Sequence, residues 1–396
     1  ITVGEKFLIV RPEDLDLMLW LSEVCHRIGE DEKAINLLYQ VALFDPGKPE
    51  TFRKQAAIYE DRNEWKAALD VRRRVLDIVP LPAIEDHLLL ARSAYGAQDY
   101  REVQQTCEKV LSIDPEQGMA YTYLGMACIA NSDLANGLAN LNKATLLIPE
   151  NPMPWIQLAE AYKKNDEPQR ALETLRTAII TAPDSAELHF AIGSTCLEAG
   201  LTSEALPFLR QSAKLAPESD RVGLALAKTL LKLGHETDAL AIIEKTRENW
   251  PAHAELAYLH AKILLDRKET DRGLSILEIA LQADEANPTW FILYAKTLIG
   301  EYERYSGIES EEPDTAALVK AYKMIQKAVS IAPDSLEANL LLAEVLSLRG
   351  EHEAAYAAYK QIVELPEARL PEWNWRVQAG LGKTALALQQ TETALA

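Results

Sequence analysis

Residues 152–185 read PMPWIQLAEAYKKNDEPQRALETLRTAIITAPDS, and the spacing inside this stretch decides the fold. Trp155, Leu158, Ala159 and Tyr162 recur at steps of three and four, and so do Ala171, Leu175 and Ala178. That period belongs to two amphipathic helices, each with one apolar stripe. Lys164-Asn165-Asp166-Glu167 lies between them as a polar turn. Pro183 closes the second helix, because proline has no amide to donate and pushes the preceding residue out of the α region. Ala159 and Ala171 let the two helix backbones approach closely, while the aromatic and leucine side chains fill the space beside them.

The stretch is one unit of a series. Pro12, Pro46, Pro80, Pro115, Pro149, Pro183, Pro217 and Pro251 stand 34, 34, 35, 34, 34, 34 and 34 residues apart. Pro333 follows 82 residues later, two periods plus 14. A fixed period of this length marks a solenoid, in which each unit buries its apolar face against its neighbours.

The pattern resembles the tetratricopeptide repeat (TPR), with Trp-x2-Leu-Gly/Ala-x2-Tyr in a first helix and Ala-x3-Phe/Leu-x2-Ala-x4-Pro in a second. Leu124-Gly125 with Ala144 and Pro149 fit it, as do Ile192-Gly193 with Ala205, Leu209 and Pro217. Leu226-Ala227 with Ala239 and Pro251, and Leu342-Ala343 with Ala355 and Tyr359, fit it again. The resemblance implies an all-α, right-handed superhelical solenoid of stacked antiparallel helix pairs, about ten complete repeats with partial ones at both ends. Residues 1–14 are expected to be the tail of a preceding repeat, and 15–299 to hold eight repeats and the first helix of a ninth. Residues 300–313, with five Glu and no Lys, read as an acidic insertion that follows a lengthened helix, with Asp314 as the next N-cap. Residues 314–369 complete repeats nine and ten, and 370–396 form a linker and an incomplete eleventh. Neither end carries a polar cap, so end-to-end association is expected.

Two core positions depart from the pattern. Arg72 stands where Leu or Tyr is expected, which predicts a rotated or loose helix near 66–78, and His260 replaces a core Leu. Arg72-Arg73-Arg74 as a run reads as solvated charge spread around one turn.

The chain has 41 Lys+Arg against 60 Asp+Glu, a formal charge of −19. That balance opposes approach to a nucleic-acid backbone or an anionic membrane. No apolar run is long enough to span a bilayer, and no signal-peptide pattern opens the sequence, so a cytoplasmic location is expected. The four cysteines, Cys25, Cys107, Cys128 and Cys196, are too few for a disulfide scaffold and sit at core positions as small apolar residues. Gly380-Leu381-Gly382-Lys383-Thr384 resembles the end of a phosphate-binding loop, but Val377 occupies the required glycine place and no strand precedes it. The seven histidines converge with no third ligand, and no nucleophile–base pattern is present. Catalysis, metals and cofactors are therefore not expected.

The resemblance implies a binding role, since the first helices of such arrays line a concave groove that takes a peptide or a helix of a partner. Met126, Phe190, Leu224, Tyr258 and Ile292 fall on its floor, with Arg92 as a further contact. The Lys–Asn pair by which some arrays clamp a chaperone's terminal carboxylate is missing, its places holding Leu19 and Glu23, Leu88 and Arg92, Ile156 and Glu160, and Leu224 and Lys228. Lys228, Lys262 and Lys296, 34 residues apart, share one first-helix position. They predict a positive track that suits an acidic, partly apolar peptide. Two other roles are compatible with the sequence: a sensor arm of a larger signalling ATPase or enzyme, and a periplasmic or secretion-system adaptor.

Overall fold

The computed structural model describes residues 13–306, 315–364 and 371–388, together with residues 8, 10 and 11. Every regular element among them is an α-helix. The chain divides into two compact units, residues 1–215 and 216–396.

Among its described residues the first unit contains six helix pairs: α1 (Leu15–Arg27) and α2 (Asp31–Phe44), α3 (Pro49–Asp61) and α4 (Trp65–Ile78), α5 (Ile84–Gly96) and α6 (Tyr100–Ile113), α7 (Gly118–Ala130) and α8 (Leu134–Leu147), α9 (Pro152–Lys164) and α10 (Pro168–Thr181), α11 (Ala186–Glu198) and α12 (Thr202–Leu215). The second contains α13 (Asp220–Lys232) and α14 (Glu236–Asn249), α15 (Ala254–Asp266) and α16 (Thr270–Ala283), α17 (Pro288–Ser306) and α18 (Thr315–Ile331), α19 (Leu336–Leu348) and α20 (His352–Val363), then α21 (Pro371–Ala387). Odd-numbered helices are first helices and even-numbered ones second helices. Within a unit each first helix packs on its own second helix, and that second helix packs on the next first helix. The fold class is the expected all-α solenoid of stacked helix pairs.

Three local devices set the helix ends. The in-phase prolines from Pro46 to Pro333 follow the second helices and stop them. Side chains at one recurring place then cap the next first helix. Asn151, Ser185, Ser219, His253 and Ser335 each accept a backbone N–H from its first turn. Between the helices of a pair one residue takes a left-handed conformation, with φ between 59° and 80°: Gly29, Asn63, Gln98, Ser132, Asp166, Gly200, Gly234, Lys268 and Gly350. The first eight recur on the repeat period, and Gly350 follows Lys268 after 82 residues, as Pro333 follows Pro251.

The core is a row of small clusters rather than one centre. Leu90, Ala94, Val103, Cys107 and Tyr123 make one in the first unit, and Ala261, Leu277, Trp290, Tyr294 and Ile325 belong to another in the second. Cys25, Cys107 and Cys196 are buried and Cys128 is half-buried. Burial pushes the Cys107 thiol up to about 12, so it remains protonated and acts as an apolar filler.

Helix α4 differs from the expectation of looseness. It is a regular helix, and Arg72 is only 4% exposed. Its Nε donates to Glu60 Oε1 at 3.0 Å, and Ser93 Oγ donates to the same oxygen at 2.6 Å. The carboxylate of Glu60, itself 5% exposed, supplies the charge that makes an arginine tolerable at a core site. The arginine run is thus not uniformly solvated. Arg73 pairs with Asp70, Asp99 and Glu102, and Arg74 lies over the Phe52 ring at 4.4 Å. His260 is likewise buried, with Nδ1 against Arg247 Nη1 at 2.8 Å.

The first helix of repeat nine is lengthened to Ser306, while the acidic stretch at 307–314, Asp314 included, lies outside the described residues. Gly380 and Lys383 are inside α21, where a Cβ on Gly380 would strike the Tyr359 ring, so this glycine serves close helix packing. Among the described residues no helix is long and apolar enough to cross a membrane.

Candidate partner-binding surface

The first helices α13, α15 and α17 of the second unit present the same two rows. Their fifth residues are Leu224, Tyr258 and Ile292, and their ninth residues are Lys228, Lys262 and Lys296. A step of four residues places the rows one turn apart on one face. The apolar row is half-buried. Leu224 packs on the cluster of Ala227, Leu256 and Ile263, while Tyr258 and Ile292 pack on the larger cluster around Trp290 and Tyr294. Tyr258 and Trp290 bring their ring centroids to 4.4 Å at a tilt of 42°. The apolar row is therefore both flank of the core and part of the surface, which periodicity in sequence cannot separate.

The lysine row is exposed throughout. Lys228 Nζ pairs with Glu255 Oε1 at 2.5 Å, and Lys296 Nζ with Glu337 Oε1 at 3.3 Å. Lys262 forms no ion pair among the described residues. Burial raises the Tyr258 phenol above its ordinary range, helped by the charges of Glu337 and Asp266, so it stays a neutral hydrogen-bonding group beside the lysines. The row ends at α19, whose ninth residue is Glu344, joined to Arg376 Nη2 through both oxygens at 2.8 and 3.1 Å.

The other expected contacts lie in the first unit. Arg92 is exposed, its Nε 3.9 Å from Glu60 Oε2. Phe190 is half-buried on α11. Met126 is only 7% exposed and packs among Ala120, Tyr123 and the α5–α6 core. It is a packing residue and offers no adaptable surface, because the neighbouring first helices close over it. Sequence reasoning passed over Glu255, Thr289 and Glu337. Glu255 and Glu337 are the second residues of α15 and α19, and that shared place is the signal that marks them as partners of the lysine row.

Family models described as tetratricopeptide repeat match residues 156–220 and 197–263. Among solved structures the chain is similar to the Cut9–Hcn1 hetero-tetramer of the APC/C, at 14% identity and a TM-score of 0.48, covering 80% of this chain and 59% of that one. It is similar to Pseudomonas aeruginosa pilF at 20% identity and a TM-score of 0.47, covering 57% of this chain and 97% of that one. It is also similar to YrrB, described as a TPR protein with an unusual peptide-binding site, at 17% identity and a TM-score of 0.38, covering 45% of this chain and 92% of that one. The chain thus spans less than two thirds of the Cut9–Hcn1 chain it matches. No curated protein matches the chain.

Proposed function

The chain is a tetratricopeptide repeat protein, and from that premise we propose that it is a protein-interaction scaffold whose second unit holds a peptide or helix of a partner on the first-helix face of α13, α15 and α17. One observation carries this reading: half-buried Leu224, Tyr258 and Ile292 stand one turn from exposed Lys228, Lys262 and Lys296 on three successive first helices. Apolar side chains of a partner gain by covering the first row, since each buried methylene is worth about 0.8 kcal/mol. The second row sets orientation and speeds encounter with acidic groups, in a protein whose net charge of −19 otherwise repels them. The partner is therefore an acidic, partly apolar segment. Replacing all three lysines by Glu should weaken binding of such a segment strongly at low salt and less at high salt. Unchanged affinity and salt dependence in a folded triple variant would place the docking surface elsewhere.

A further inference from the structure

On that face, and resting on its being the docking surface, we propose that Lys262 is the single rung left open to receive a carboxylate of the partner. The ninth residue of one first helix meets the second residue of the next. Lys228 on α13 meets Glu255 on α15, and Lys296 on α17 meets Glu337 on α19. Between them the same rule matches Lys262 on α15 to the second residue of α17, which is Thr289. Threonine has no charge, so the pattern of paired rungs is broken once, in the middle.

The consequence follows from comparing what each lysine exchanges. A partner carboxylate that reaches Lys228 or Lys296 displaces a carboxylate already there, and exposed pairs of this kind differ little in free energy. At Lys262 the same carboxylate forms a pair where none exists. Asp266, one turn further along α15, makes no ion pair with Lys262. Tyr258, one turn back on the same helix, lies half-buried against Trp290 and offers an apolar shelf beside the charge. The occupant is thus an Asp or Glu side chain of a partner protein with an apolar residue about one turn away. Charge complementarity at one place, in an acidic chain, selects it.

The test uses the full chain and a phage-displayed library of random peptides of about 16 residues, long enough for several helical turns. The best selected peptide is then synthesised with its acidic residues intact and with each changed to the amide. Thr289→Glu supplies the missing carboxylate from within the protein. Thr289 is exposed, and an acid in the first turn of a helix favours the fold. Thr289→Glu and Lys262→Gln should each weaken the peptide about five-fold at low salt and flatten its salt dependence, as one exposed-to-interfacial pair allows. Lys228→Gln should weaken it less than Lys262→Gln does, because Glu255 already occupies that rung. The double variant Thr289→Glu, Lys262→Gln should lose no more than either single one, because both act on the same pair. If the selected peptides lack acidic residues, or bind Thr289→Glu as they bind the parent while the triple Lys→Glu variant loses them, the open rung is overturned and the docking face stands. If no peptide is selected, or the triple variant binds as the parent does, the docking face itself fails and the open rung with it.

Discussion

At the scale of single residues, the turn inside a repeat shows one backbone demand met at nine positions by six residue types. Gly29, Gly200, Gly234 and Gly350 meet the left-handed conformation without strain, while Asn63, Gln98, Ser132, Asp166 and Lys268 meet it with a Cβ. A non-glycine residue there costs about 1–2 kcal/mol. Lys268→Gly should therefore stabilise its repeat by about 0.5–1 kcal/mol, after the greater freedom of glycine in the unfolded chain is subtracted. Gly200→Ala should cost about 1 kcal/mol, all of it backbone strain, since a Cβ there meets nothing within 4 Å. Thermal melts of the two variants check both signs. His260 makes a second prediction. Burial first, then the Arg247 guanidinium, lowers its pKa, with Glu244 and Glu269 acting upward and Arg272 downward from the helices around it. The neutral ring is the form the fold accepts. Its contribution is complete above the unfolded value near pH 6.5 and is lost as pH falls below it toward the lower folded pKa. Hydrogen exchange in α15 should quicken between about pH 7 and pH 5 in the parent, and less in His260→Leu. His26 has the opposite sign. Its hydrogen bond to Asp31 raises its pKa, so what it adds is present in acid and lost as pH rises.

At the scale of elements, small residues set how closely the two helices of a pair approach. In α7 and α8 both contact positions are glycine. A Cβ on Gly125 would lie 2.6 Å from Leu141 Cγ and 3.0 Å from the Gly137 carbonyl oxygen, and one on Gly137 would strike Ile129 and lie 3.1 Å from the Gly125 oxygen. Alanine gains helix propensity of about 1 kcal/mol over glycine, but pushing apart two packed backbones costs about 1–3 kcal/mol. Gly137→Ala should thus destabilise this pair by about 1 kcal/mol net, measured by local hydrogen exchange in α7 and α8. The pairing itself was legible in sequence. Ala159 opposite Ala171 and the prolines on a shared period identify which residues meet, because a helix has one stripe and a proline has one effect. Arg72 was not legible. Its partner Glu60 lies on the preceding helix and Ser93 on the following repeat, so a rule that reads one core position at a time sees only a misfit. The binding face divides in the same way. Register alone finds the lysine row, but the difference between its occupied rungs and Lys262 depends on where Glu255 and Glu337 reach.

At the scale of the whole molecule, a row of small clusters makes stability a sum of nearby terms rather than the property of one centre. The first unit supplies a direct trial, because it holds a buried ion pair in the second of its six described helix pairs. Arg72→Ala leaves Glu60 buried with only Ser93 as a donor and Arg92 at 3.9 Å, and an uncompensated buried charge costs about 3–5 kcal/mol. Arg72→Met with Glu60→Gln removes both charges, keeps similar volume and should recover most of that loss. The distribution of the loss is the sharper observable. Glu60 belongs to α3, Arg72 to α4 and Ser93 to α5, so exchange should quicken across repeats two and three, which share this network. Repeats five and six, α9 to α12, touch that network only through the pairs between. If nearest-neighbour coupling governs the stack, their amides keep nearly the parent's protection in Arg72→Ala while those of α3 to α5 lose theirs. Equal loss in all six pairs would mean that the first unit unfolds as one cooperative body, and the row of clusters would then be a single core in thermodynamic terms.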